Sequence, residues 1–297
     1  MRAEYTIGID FTPNRCDMTE VVSLKKRITA IQYNTYRGFP IDRVVEDVKK
    51  AGFDGIELSL DDGWASADGM DAEQAARIRK KLHGDGLQIV GLGAHTDLFA
   101  QNATERLSYA ISMAEILQTE YVVTFLGTPP EGMSETQADA AIAALLRPFI
   151  PELEKKGIKL ALEIHSEYCC GKAVLRVVDL IDSPNIVINY DTANAIFYGN
   201  TDVENDFAAC LTKIGYVHLK DKAGVNQEWN FPPIGLGKVP IPQILQMLEY
   251  SGNDAPLAIE IEYTPEGISS FKDAQQAARI SAAYLRQLGV MAGEYLT

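Results

Sequence analysis

The sequence is poor in cysteine, poor in histidine and short of positive charge. Its four cysteines (Cys16, Cys169, Cys170, Cys210) show no Cys-x-x-Cys spacing and two are adjacent, which argues against a disulfide scaffold and for a reduced, cytoplasmic protein. No run of 18 apolar residues is present, so no transmembrane helix and no membrane partner is expected. The start, MRAEYTIGIDF, lacks the basic and then apolar regions of a signal peptide. With 27 Lys+Arg against 41 Asp+Glu, the formal charge is −14 and is spread along the chain, so a nucleic-acid partner is not expected. No Gly-x-Gly-x-x-Gly follows the first apolar run, which removes the commonest dinucleotide-binding fold.

What the 297 residues do contain is a rhythm. Short apolar runs alternate with amphipathic stretches: ITAIQYN (28–34), GIELSL (55–60), LQIVGLGAH (87–95), YVVTFLG (121–127), IKLALEIH (158–165), NIVINYD (185–191), IGYVHLK (214–220) and PLAIEIEY (256–263). Between them lie helical patterns such as PIDRVVEDVKKAG, a long Ala-rich stretch from about Glu135 to Lys156, and a last helix from about Ser270 to Leu288. The runs are continuous rather than alternating, as in strands buried on both faces of a parallel sheet. Eight strand–helix units predict a single-domain α/β protein, a closed (β/α)8 TIM barrel over residues 28–297, with a doubly wound open sheet as the alternative. Residues 1–27 read as an N-terminal extension packed on or leading into the barrel, although TIGIDF could instead be the true first strand.

Catalytic groups of such barrels sit at the carboxyl ends of the strands. Strand five ends in Glu163, His165 and Glu167, and strand six in Asp191 with Asn194 close behind. Strand seven ends in His218, Lys220 and Asp221, and strand eight in Glu260 and Glu262. Carboxylates gathered at one point raise one another's pKa unless a cation compensates, and oxygen ligands with an imidazole suit one divalent ion: Mn²⁺, Mg²⁺, Co²⁺ or Zn²⁺.

Each residue also has a plainer reading. Glu163, inside LALEI, could belong to a structural salt bridge, and Asp191 could cap the next helix. His218 could be a hydrogen-bonded core histidine. Glu260 and Glu262 are two apart and share a face, so depth alone separates them. His95, His165, Asn194 and Lys220 are candidate substrate contacts, with helix capping, an indirect hydrogen bond, turn formation and pairing with Asp221 as their respective alternatives. Trp229 and Phe231, in the long loop after strand seven, would cover the pocket or an oligomer contact, and His83 sits at a surface helix end.

The stretches AGFDGIEL (51–58), LALEIH (160–165), NYDTAN (189–194), YVHLKDK (216–222) and LAIEIEY (257–263) resemble the xylose-isomerase-like TIM-barrel superfamily, which includes ketose 3-epimerases and inosose dehydratases. The resemblance implies that Glu163, Asp191, His218 and Glu260 bind one divalent cation, most often Mn²⁺, and that Glu163 and Glu260 move the proton. The superfamily's turn after strand seven usually reads Gly-Glu-Gly; here it is Gly235-Leu236-Gly237, which keeps the turn and loses the acid. The expected activity is that of a metal-dependent sugar isomerase or epimerase of carbohydrate metabolism, acting on a ketose or keto-sugar by carboxylate-mediated proton transfer through a metal-stabilised enediolate. The alternatives are a metal-dependent lyase or dehydratase on an inosose or 3-keto-glycoside, and a non-catalytic sugar-binding subunit. The expected partner is a small carbohydrate, with a homo-oligomer left open.

Overall fold

Each of the eight apolar runs forms a strand in a computed structural model that describes residues 24–36, 38–60, 70–265 and 267–292. They are β1 (Thr29–Gln32), β2 (Gly55–Ser59), β3 (Gln88–Gly93), β4 (Tyr121–Phe125), β5 (Lys159–Glu163), β6 (Ile186–Asp191), β7 (Ile214–Lys220) and β8 (Leu257–Glu260). All neighbouring pairs are parallel, and β1 pairs with β8 through Ala30 opposite Ala258, which closes the barrel in the order β1 to β8. Closure excludes the open sheet. It also makes Thr29–Gln32, not TIGIDF, the first barrel strand. TIGIDF itself lies outside the described residues, as does most of the expected extension; the described part of that extension is tied down by a hydrogen bond from Arg27 N to Val290 O.

The helices are α1 (Ile41–Ala51), α2 (Ala72–Gly84), α3 (Ala103–Leu117), α4 (Glu135–Leu146), α5 (Ile150–Lys156), α6 (Gly171–Ile181), α7 (Asn194–Phe197), α8 (Val203–Cys210), α9 (Ile241–Ser251) and α10 (Phe271–Gln287). Their ends follow local chemistry. Asp71 and Ser134 close reciprocal caps with Gln74 and Gln137 at the starts of α2 and α4. The long helix expected from Glu135 to Lys156 is instead two helices joined by a 3₁₀ turn at Arg147–Phe149. Pro148 and Pro151 each lack an N–H and crowd the preceding turn, which breaks the helix there. No described helix is long and apolar enough to cross a membrane.

The lower barrel is filled by small residues beside two tyrosines: Ala30, Ala161 and Ala258 pack with Tyr121, Tyr216, Val90 and Val123. Gly91 is required there, because a Cβ would lie 2.5 Å from the Tyr216 hydroxyl. That space lets Tyr216 rise through the barrel to the polar layer above.

Candidate metal centre and substrate cavity

Above this plug the strand ends bring four side chains together. Glu163 ends β5, Asp191 ends β6, His218 lies near the end of β7 opposite Asp191, and Glu260 ends β8 opposite Lys220. One ligand atom from each lies within 4.8 Å of the others, and all four residues are buried. The Nδ1 of His218 is 3.4 Å from Glu163 Oε1, 3.4 Å from Glu260 Oε2 and 4.0 Å from Asp191 Oδ2.

Each side chain is anchored at one end, and Asp191, His218 and Glu260 leave the other end without a hydrogen-bond partner. Asp191 Oδ1 accepts the backbone N–H groups of Ala193 and Asn194 at 2.9 and 2.8 Å, capping α7, while its Oδ2 has no hydrogen-bond partner. Asp191 therefore caps α7 through one oxygen and leaves the other available to a ligand site. Glu260 Oε1 accepts from Asn34 Nδ2 at 2.9 Å and faces Lys220 Nζ at 3.1 Å; its Oε2 is bare. Glu163 Oε1 accepts from Asn194 Nδ2 at 3.3 Å, and its Oε2 lies 3.5 Å from His95 Nε2. The far side of His218 is tied to Glu57, whose oxygens lie 3.1 and 3.0 Å from Nε2, which leaves Nδ1 without a partner.

Buried polar atoms are rarely left unpaired, and here three of them, Asp191 Oδ2, His218 Nδ1 and Glu260 Oε2, lie together. Electrostatics points the same way. Burial, reinforced by Glu260 and Glu163, pushes the Asp191 carboxyl well above its usual range despite the pull of Lys220. Burial opposes a charge on His218, but Glu57 and Glu163 outweigh it and raise its pKa well above the usual histidine value. Three carboxylates and an imidazole whose second nitrogen is fixed by a carboxylate make a donor set that fits a divalent cation.

The sequence reading missed the residues that hold this set in place. Glu57, fully buried on β2, receives hydrogen bonds from Gln32 Nε2 at 2.9 Å and Tyr216 Oη at 2.7 Å as well as from His218. Burial alone would raise its pKa, yet His218 and these donors hold it below the usual glutamate value. Asn34 and Tyr198 were also missed. The sequence signal was available for Glu57: a charged residue inside the apolar run GIEL, the same signal that singled out Glu163.

Over the centre opens a cavity of about 350 Å³. His95, His165, Asn194 and Lys220, the four expected substrate contacts, all line it, together with Trp229, Phe231 and Glu262. The Tyr198 hydroxyl lies 3.1 Å from His165 Nε2. His83 is exposed in the last turn of α2, away from the site.

The sequence family described as xylose isomerase-like TIM barrel matches residues 45–288, a span that contains all four converging residues. The chain belongs to this family. No curated protein matches it in sequence. Among solved structures it is similar to D-allulose 3-epimerase from Methylomonas sp. (19% identity, TM-score 0.71, covering 90% of this chain and 100% of that one). It is also similar to the probable 3-DHS dehydratase AsbF from Bacillus anthracis (17%, 0.70, 88% and 98%). A third is an IolI protein with a bound zinc atom (15%, 0.72, 88% and 97%). At these identities the likeness is one of fold.

In this xylose isomerase-like barrel the cavity wall depends on Asp221, just beyond β7. Its Oδ1 accepts the N–H groups of Lys222 and Val239 at 2.9 and 3.1 Å, and its Oδ2 those of Gly235 and Gly237 at 2.9 and 2.8 Å. Gly237 has no room for a side chain, since a Cβ would sit 2.1 Å from Asp221 Oδ1, and Gly235 has a φ of +92°. Leu236 between them is 40% exposed, so this clasp tolerates the replacement of the usual glutamate.

Proposed function

We propose that this chain is a divalent-cation-dependent sugar isomerase or epimerase acting on a ketose or keto-sugar, with Glu163, Asp191, His218 and Glu260 as ligands and Mn²⁺ as the preferred ion. The observation that carries the reading is the convergence of buried ligand atoms from these four residues, those of Asp191, His218 and Glu260 without a hydrogen-bond partner. When bound, such an ion supplies Lewis-acid polarisation of a carbonyl and compensates the clustered carboxylates.

The remaining chemistry belongs to the chain. Glu163 and Glu260 come from strands three apart around the barrel, so their carboxylates reach the common point from different directions. One removes the proton from the carbon beside the carbonyl and the other returns it, which inverts that carbon. Asn34 and Lys220 hold Glu260, and Asn194 and His95 hold Glu163. His95 has a side chain 35% exposed and links Glu163 to solvent. His165, Asn194, Lys220 and His95 contact the sugar from the cavity wall.

The test is turnover of ketoses, inososes and keto-glycosides in D₂O with added Mn²⁺. Deuterium at the carbon next to the carbonyl is expected, and Glu163→Gln and Glu260→Gln are each expected to lower turnover by ~10²–10⁴-fold. Turnover with complete retention of the original hydrogen would refute the proton-transfer reading. Loss of water from the product mass would assign a dehydratase in its place.

A further inference from the structure

Resting on the reading of this cavity as a cation-holding sugar site, we infer that Glu262 makes it select uncharged sugars over phosphorylated or carboxylated ones, by occupying Lys220. Lys220 is the one lysine or arginine among the described residues lining the cavity. An ammonium there would ordinarily be the place for a phosphate or carboxylate to bind. Here two carboxylates hold it. Its Nζ lies 2.5 Å from Glu262 Oε2 and 3.1 Å from Glu260 Oε1, and it stands 4.4 Å from the centre of the Phe231 ring. Two of the three N–H donors of the ammonium thus meet carboxylates and its charge faces the ring, which leaves one N–H for a sugar hydroxyl. Glu262 is also the more exposed partner, with 25% of its side chain accessible against 4% for Lys220, so a solute entering from the mouth meets the carboxylate first.

The rest of the wall is acceptor-rich. Glu57, Glu163, Glu260 and Glu262 line the cavity, with Asp191 in the cluster beneath: five carboxylates against one ammonium and the imidazoles of His95 and His165. Gln32 and Asn34 add to this, because each donates its amide N–H to a glutamate, Glu57 and Glu260 respectively. That fixes their orientation and leaves Gln32 Oε1 and Asn34 Oδ1 buried in the wall without a donor. Carboxylates and amide oxygens accept hydrogen bonds and give none. Sugar hydroxyls satisfy them; a phosphate or carboxylate group brings more acceptors and more negative charge.

The experiment reads the ³¹P relaxation of inorganic phosphate in the presence of Mn²⁺-loaded protein, with metal content measured on the same samples. Wild type is expected to bind phosphate at least ~10-fold more weakly than Glu262→Gln, in line with the penalty for placing like charges together. The double variant Glu262→Gln/Lys220→Met is expected to return to wild-type exclusion, because the gain requires a freed ammonium rather than a wider cavity. Phosphate binding to wild type as tight as to Glu262→Gln would overturn the inference, and so would a gain that survives loss of Lys220. The two levels of the argument fail differently. Folded wild type that takes up no Mn²⁺ overturns the reading of the site and this inference with it, whereas Mn²⁺ uptake with phosphate freely admitted to wild type overturns the inference alone.

Discussion

The two halves of the barrel contribute to the site in opposite ways. Strands β5 to β8 carry Glu163, Asp191, His218 and Glu260 at or near their ends, and these side chains meet at one point. Strands β1 and β2 contribute Gln32 and Glu57, and Asn34 follows directly after β1; these residues bind the ligand set from behind. One half faces the common point and the other stands behind it, although Gln32 Oε1 and Asn34 Oδ1 there also lack a donor. The difference teaches that candidate ligands and their supports are both buried polar groups at strand ends, and that what tells them apart is which atoms meet at the common point.

The strongest way to break the comparison is to remove a bare atom from the second half. Asp191→Asn keeps the cap on α7 within reach of its side-chain oxygen and replaces the ligand oxygen by an N–H donor. Metal content is expected to fall from about one ion per chain to near zero by elemental analysis, as befits a site whose affinity needs a deprotonated ligand. Equal metal in both proteins would show that the convergence is not a metal centre.

The first half is probed by Glu57→Ala, which leaves all four proposed ligands in place. Freed of its anchor, His218 loses its fixed ring orientation, and metal affinity is expected to drop by ~10–100-fold in a chelator competition. A loss as complete as that of Asp191→Asn would erase the distinction between ligand and support.

A change of pH sharpens the contrast without a mutation. Burial and neighbouring carboxylates raise the pKa of Asp191, and Glu57 and Glu163 outweigh burial to raise that of His218, so a bound cation competes with protons at both. Loading therefore releases protons, and affinity rises with pH until both groups are already deprotonated, by up to about tenfold per pH unit for each proton displaced. Calorimetry in two buffers of different ionisation enthalpy counts the protons. No proton release at neutral pH would contradict the raised pKa of His218.

The smallest effect is expected from Tyr216→Phe. It removes the 2.7 Å hydrogen bond to Glu57 from below, and a hydrogen bond to a charged group contributes about 1.5–3 kcal/mol. Denaturant titration should show that loss of stability, while metal affinity changes less than in Glu57→Ala because His218 keeps its carboxylate.

This division also explains what could be read in the sequence. The eight strands were legible because buried parallel strands leave unbroken apolar runs, and their ends located Glu163, Asp191, His218 and Glu260. The break between α4 and α5 was legible too, in Pro148 and Pro151, but the run of alanines reads as one helix when the prolines are ignored. Gln32 and Asn34 carry no charge and leave no mark in ITAIQYN; only the closure of β1 against β8 brings Asn34 to Glu260. Tyr198 follows a short helix whose start is set by the Asp191 cap, so its place beside His165 depends on three dimensions.

The Asp221 clasp has a consequence for how such a protein can diversify. One carboxylate grips Lys222 at the start of the loop and Gly235, Gly237 and Val239 at its end. The span between carries Trp229 and Phe231 into the cavity wall, and its tip at Val225 is 69% exposed. Phe231 is pinned a third time, by paired backbone hydrogen bonds with Glu262, so the free stretch of the loop runs from Ala223 to Asn230. Changes there would reshape the cavity mouth while Phe231 and the strand-end residues keep their places.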